Sequence, residues 1–281
     1  MRSNAEFSVS DMVGLWRGFW KGGYWEGDPL DPFGRSSYAQ MGFISVIHAI
    51  YQACIKPNVT ADSNVLEIGP GRGAWTKTML GAKEIWCVDV NSAEHNGFWQ
   101  YVGDESRHKV RYLQVSDFSC AELPADHFDF LFSYGTFCHI PVDGQQQYLR
   151  NLVGKMRAGG LAAIMIADYD KYNAAVRQHG NMSIAFRRYP PGLAFGRKVL
   201  DVGRALLEIA YLATGRRPPG VFFDPMGLRD KAAIDRGQGA WFHAGIDETS
   251  RYAQSVGWEI VSRDVGLCVR DPLLLLRRPA R

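Results

Sequence analysis

Residues 65–75, VLEIGPGRGAW, constrain the fold of this chain more than any other stretch. An apolar run closes on Glu67 and Ile68, and glycines come next at positions 69, 71 and 73. A helix-forming segment begins at Trp75. Glycine at this spacing lets the backbone turn tightly and approach a ligand with no side chain in the way. The stretch therefore reads as a strand, a tight turn and a helix, the opening unit of an α/β sheet.

The rest of the chain alternates in the same way. Strands are expected at Asn64–Ile68, Glu84–Val88, Val110–Val115, Phe128–Ser133 and Leu161–Ala167, and helices at Trp75–Leu80, Asn91–Val102 and Gln145–Met156. This βαβ rhythm predicts a parallel sheet with helices on both faces. The end differs: a helix over Glu248–Ser255 precedes two strands, Trp258–Val265 and Leu273–Leu276, whose short polar connection predicts an antiparallel hairpin. Upstream, Ser36 or Ser37 is positioned to cap a helix over Tyr38–Cys54, with Phe43, Ile44, Ile47, Ile50 and Tyr51 at helical spacing. Before it lies an aromatic, Gly- and Pro-containing stretch, and some 75 residues, Tyr169 to His243, interrupt the alternation with an apolar helix expected near Val199–Ala213.

Acidic residues close three of the strands. Glu67 sits within a Glu-x-Gly-x-Gly-x-Gly spacing, unlike the GxGxxG of dinucleotide folds, and its carboxylate suits a cationic aminoacyl head better than a pyrophosphate. Asp89, twenty residues after Gly69, stands where an acidic side chain accepts hydrogen bonds from ribose hydroxyls, with Val90 next to it. Ser116, Asp117 and Phe118 end the third strand, where a carboxylate can meet an adenine amino group and a ring can lie beside the base. VLEIGPGRG, VDVN, SDF and FDFLFSYGTFCHI resemble motifs I to IV of the class I S-adenosylmethionine-dependent methyltransferases, over residues 64–168 and 247–281. The resemblance implies a Rossmann-like, seven-stranded, mostly parallel sheet with an antiparallel last strand, and S-adenosyl-L-methionine as cofactor. It also implies Gly69 and Gly71 beside the methionine part, Asp89 on the ribose, Asp117 on the adenine and Tyr134 at the cofactor's edge, with Gly73 completing the turn. The resulting division is an N-terminal helical or lid segment over 1–63, a core over 64–168 and 244–281, and an insertion over 169–243 that caps the acceptor pocket. Tyr24, Arg35 and Tyr38 are the lid residues expected at the cofactor.

The loop after the fourth strand bears on the acceptor. SYGTFCHI lacks the [DNS]-P-P-[YF] loop of enzymes that methylate exocyclic amines or adenine, so a hydroxyl is the expected target, on a sugar, a glycan precursor or a natural product. An unactivated alcohol must lose its proton as the methyl group arrives, which calls for a positioned base. His139, directly after the fourth strand, and His243, where the insertion rejoins the sheet, are the candidates. Asp168 is placed to cap a turn, orient a histidine or ligate a cation, and no metal is expected. His48, His95, His108, His127 and His179 read as surface residues. The formal charge of +3, from 32 basic and 29 acidic residues, gives no ground for a nucleic-acid partner. The basic tail Arg277-Arg278-Pro279-Ala280-Arg281 keeps RNA or protein as alternative acceptors, and a non-catalytic binding protein is the remaining alternative. Five scattered cysteines without a CxxC pair read as buried thiols in a reducing cytoplasm, no segment reads as a membrane span, and the Val199–Ala213 helix is available for a homodimer.

Overall fold

The computed structural model describes residues 28–32, 45–168, 170–172, 174, 185–186, 221–222, 242–268 and 271–280. Seven strands form one sheet: β1 (Asn64–Ile68), β2 (Glu84–Asp89), β3 (Val110–Gln114), β4 (Phe128–Ser133), β5 (Met156–Met165), β6 (Glu259–Ser262) and β7 (Leu273–Arg277). Their spatial order is β3-β2-β1-β4-β5-β7-β6. β7 runs antiparallel to both β5 and β6, and the pairings among β1 to β5 are parallel. The C-terminal hairpin is thus present, inserted so that its second strand lies against β5.

β1 is buried at every position because it has strands on both sides and helices over both faces. The alternation of its side chains sorts the core into two layers. Leu66 and Ile68 join Leu131, Ile164, Tyr148, Leu149 and Leu152 under α4 (Val142–Leu152) and α5 (Ile246–Ser255). Val65 faces the other way, with Phe130, Phe132, Ile47, Ile50, Trp75, Phe98 and Val102 under α1 (Val46–Ile50), α2 (Ala74–Thr78) and α3 (Phe98–Val102). α1 continues directly into a π-helical turn, Tyr51–Ile55. No helix of the described residues is long and apolar enough to cross a membrane.

Several boundaries differ from the sequence reading. β5 begins at Met156 rather than Leu161, and the helix before it ends at Leu152. Gly159 and Gly160 look like a turn in the sequence, but Gly159 N–H donates to Arg278 O at 2.8 Å and Arg278 N–H to Gly160 O at 2.9 Å. The C-terminal strand therefore carries this glycine pair into the sheet. α3 is confined to Phe98–Val102 because Gly97, at φ 59°, interrupts the expected helix. The caps Ser36 and Ser37, the lid residues Tyr24, Arg35 and Tyr38, and the Val199–Ala213 helix lie outside the described residues. Within the insertion, Ala185–Phe186 and Val221–Phe222 pair as a short parallel two-stranded piece.

Candidate active site

The strand order reverses between β1 and β4, and the crevice at their carboxyl ends is where open α/β sheets take ligands. Ser133, fully buried at the end of β4, donates through Oγ to Ile68 O at 2.9 Å and ties the two strand ends together. Gly69 then turns at φ 73°. A Cβ there would lie 2.0 Å from Thr136 Oγ1, so the glycine permits the backbone of the first loop to touch the loop after β4. Gly73, at φ 93°, plays a different part: a Cβ would come within 2.2 Å of Val102 Cγ2 and 2.9 Å of Phe98 Cε2. This glycine lets α2 pack on α3.

Asp89 is half-buried at the end of β2. Its Oδ2 accepts from Gly71 N–H at 3.2 Å and its Oδ1 from Asn91 N–H at 2.8 Å, so the carboxyl already spans the glycine turn and the second loop. Burial pushes it up to about 6 despite these donors. Val90, beside it, accepts from Gln114 Nε2 at 3.1 Å through its carbonyl. Ser116 and Asp117 are exposed, and Asp117 accepts from Ser119 N–H at 2.8 Å, with Ser119 holding its carboxyl below the usual range.

Three further residues expected to face the cofactor make contacts within the protein. Glu67 shares the sheet face of Val65, which α2 covers. Its carboxyl is 2% exposed and accepts from Thr76 Oγ1 at 2.6 Å, so it serves the strand–helix junction instead of projecting into the crevice. Burial pushes it up to about 8. Phe118 packs edge-on to Tyr148 at 5.0 Å and against Gly144 of α4, within the core. Tyr134 continues the face of Phe130 and Phe132, and its ring lies 5.1 Å from that of Trp75.

The two candidate bases are carried to one edge of the sheet. His139 ends a short 3-10 turn, Phe137–His139, directly after β4. The chain returning from the insertion pairs with the end of β5 through a parallel bridge, Ala167 to His243. Phe242 N–H donates to Cys138 O at 2.7 Å, so the segments bearing His139 and His243 are hydrogen-bonded to each other. Asp168, 3% exposed, accepts from the N–H groups of Asp170 at 2.8 Å, Lys171 at 3.0 Å and Ile246 at 2.7 Å. Burial pushes its carboxyl up, but those donors and the His243 charge outweigh that and hold it below the usual range.

Other expectations are corrected. His48 is 9% exposed, not a surface residue, and its Nδ1 donates to Pro29 O at 2.8 Å while Nε2 accepts from Gln52 Nε2 at 3.1 Å. His127 is half-buried against Glu84. Cys268 is partly exposed, whereas Cys54, Cys87, Cys120 and Cys138 are buried free thiols. Arg72 escapes a motif-based reading although it lies inside the glycine motif. Its guanidinium covers the Tyr101 ring at 4.4 Å. Thr136 and Ser133 escape it too, because only strand pairing shows that they bridge to the first loop.

A family model described as a methyltransferase domain matches residues 65–160. No curated protein matches the chain by sequence. Among solved structures, an S-adenosylmethionine-dependent methyltransferase from Mesorhizobium loti is 15% identical, with a TM-score of 0.50 over 83% of this chain and 98% of that one. A SAM-dependent methyltransferase from Methanosarcina mazei is 12% identical, with a TM-score of 0.49 over 82% and 98%. At such identity the first likeness is one of fold. It agrees with the reversed seventh strand, and the family match begins on the strand that feeds the glycine turn. Residues 65–160 thus match a methyltransferase domain, in line with the resemblance carried by the glycine turn and the strand ends.

Proposed function

We propose that this chain transfers the methyl group of S-adenosyl-L-methionine to a hydroxyl of a small molecule, a sugar, glycan precursor or natural product, with His139 or His243 as general base. The observation that carries the reading is the joining of the two histidine segments, through the bridge from Ala167 to His243 and the hydrogen bond from Phe242 to Cys138, after β5 and β4. Residues around the β1–β4 crevice fit the cofactor. Gly69 and Gly71 turn with positive φ, and Asp89 offers a carboxyl at the ribose position.

The cofactor supplies an electrophilic methyl carbon on a sulfonium. The protein's part is to align the hydroxyl, exclude water and take up its proton. An imidazole near its ordinary pKa of about 6.5 suits that last task at neutral pH. Asp168 supports His243 in particular, because both of its oxygens are held by backbone N–H groups and a fixed carboxylate beside a histidine favours the imidazolium formed on proton uptake. The RNA reading loses its main support: Arg277 pairs with Glu259 at 3.3 Å, and Arg278 with Asp126 and the Met156 carbonyl, so two arginines of the basic tail serve the fold.

The test is release of S-adenosylhomocysteine with a panel of sugar, nucleotide-sugar and phenolic acceptors, and then His139→Ala and His243→Ala on the acceptor found. Replacing the base should lower kcat by roughly 10²–10⁴ with cofactor affinity nearly intact. Full turnover in both variants, with loss of activity on adding a chelator, would contradict the histidine mechanism.

A further inference from the structure

Arg72 is the one side chain in the glycine turn with a charge, and the proposed transfer gives it no role. It stands between Gly71, whose N–H is held by Asp89, and Gly73, which packs α2 on α3. Its guanidinium lies over the Tyr101 ring at 4.4 Å, and Lys77, one turn into α2, places its ammonium at 4.4 Å from the same ring. Within Arg72, the Nε–H is buried and has no hydrogen-bond acceptor among the described residues. A buried donor on a cation left without an acceptor is costly, and such groups call for an explanation. Two cations on one aromatic ring, with no ion pair between either and a carboxylate among the described residues, leave positive charge beside the turn.

A carboxylate is compatible with this spot. Burial raises the Tyr101 hydroxyl, Asp28 raises it further and Arg72 pulls it back, so a carboxylate and the guanidinium both act on this ring. Asp28 belongs to the short N-terminal turn whose Pro29 carbonyl is held by His48 and whose Pro32 carbonyl is held by Ser45 N–H at 3.0 Å.

We propose that Arg72 is a cofactor-binding residue whose buried Nε–H and guanidinium, oriented by the Tyr101 ring, take the carboxylate at the aminoacyl end of S-adenosyl-L-methionine. The proposal rests on the reading of the crevice as a cofactor site and assigns a contact that neither the glycines nor Asp89 supplies. A planar guanidinium matches a carboxylate with paired donors, which a lysine cannot do. The aminoacyl end is then met through its carboxylate by an arginine, while Glu67, expected at the cationic amino group, stays beneath α2.

Calorimetry on the full-length protein with two probes tests this. S-adenosylhomocysteine carries the aminoacyl carboxylate; 5′-methylthioadenosine has the same nucleoside and sulfur without it. Arg72→Ala should weaken the first by roughly ten- to hundredfold and the second by less than threefold, and Arg72→Lys should recover only part of the loss. An equal loss for both probes would mean that Arg72 merely shapes the turn, and an unchanged S-adenosylhomocysteine affinity would mean that it makes no contact. Either result overturns the assignment. The methylthioadenosine affinity also reports that the variant is folded. If the wild-type protein binds neither probe, the cofactor reading fails, a result distinct from failure at Arg72 alone.

Discussion

Glu67 and Asp89 lie at the ends of adjacent strands, the first buried and the second half-buried. Each is pushed up by burial, to about 8 and about 6. For Glu67 the direction of the pH effect comes from proton linkage. The folded protein keeps a proton that the unfolded chain gives up near its ordinary pKa of 4.5, so folding takes up a proton between about 4.5 and about 8. Stability should therefore fall as pH rises through that window, by at most about 1.4 kcal/mol per pH unit for this one group. Glu67→Gln keeps an acceptor for Thr76 and removes the titration. We expect thermal denaturation of the variant to depend less on pH, with its advantage over the wild type growing from about pH 5 to about pH 8.5. Parallel curves for the two proteins would show that Glu67 is ionised throughout. The sequence placed Glu67 correctly at the end of β1 and could not show its direction. That depends on which face α2 covers, and only tertiary packing decides it.

The N-terminal segment belongs to the scale of elements. Its described turn, residues 28–32, is attached to α1 through His48 and Ser45, and Asp28 acts on the Tyr101 hydroxyl of α3. These contacts link it to α1 and to α3, the helix on which α2 packs through Gly73, and the lid proposed over the cofactor draws on them. Deleting residues 1–34 should raise the S-adenosylhomocysteine Kd more than tenfold, while the loss of the His48 bond costs only about 1 kcal/mol of stability. Unchanged affinity in a folded truncation would exclude the lid. The core elements were legible where hydrophobic pattern and turn chemistry agreed: β1 and β4 occupy the spans read from the sequence. Reading failed where a distant partner set the outcome. The expected β5 starts five residues late because Gly159 and Gly160 obey the turn rule locally, yet the strand is completed by Arg278. His48 was misplaced for the same reason, since its acceptor, Pro29 O, lies nineteen positions away.

In the molecule as a whole, the sheet brings to one edge segments that the sequence separates widely. Reversal of strand order between β1 and β4 places the glycine turn opposite the loop that bears His139. The bridge to β5 then returns His243 to that edge after the insertion. Strand ends and the glycine turn were visible as motifs, but the meeting of the two histidine segments was not, because it depends on backbone bonds from Phe242 and Ala244. Calorimetry with the wild type and Asp89→Ala measures most directly whether the β1–β4 crevice binds S-adenosyl-L-methionine. The wild type should bind one equivalent, and loss of the charged contact to ribose should weaken binding by about 1.5–3 kcal/mol. Undiminished binding by Asp89→Ala, or tighter binding of a nicotinamide dinucleotide by the wild type, would contradict the cofactor reading.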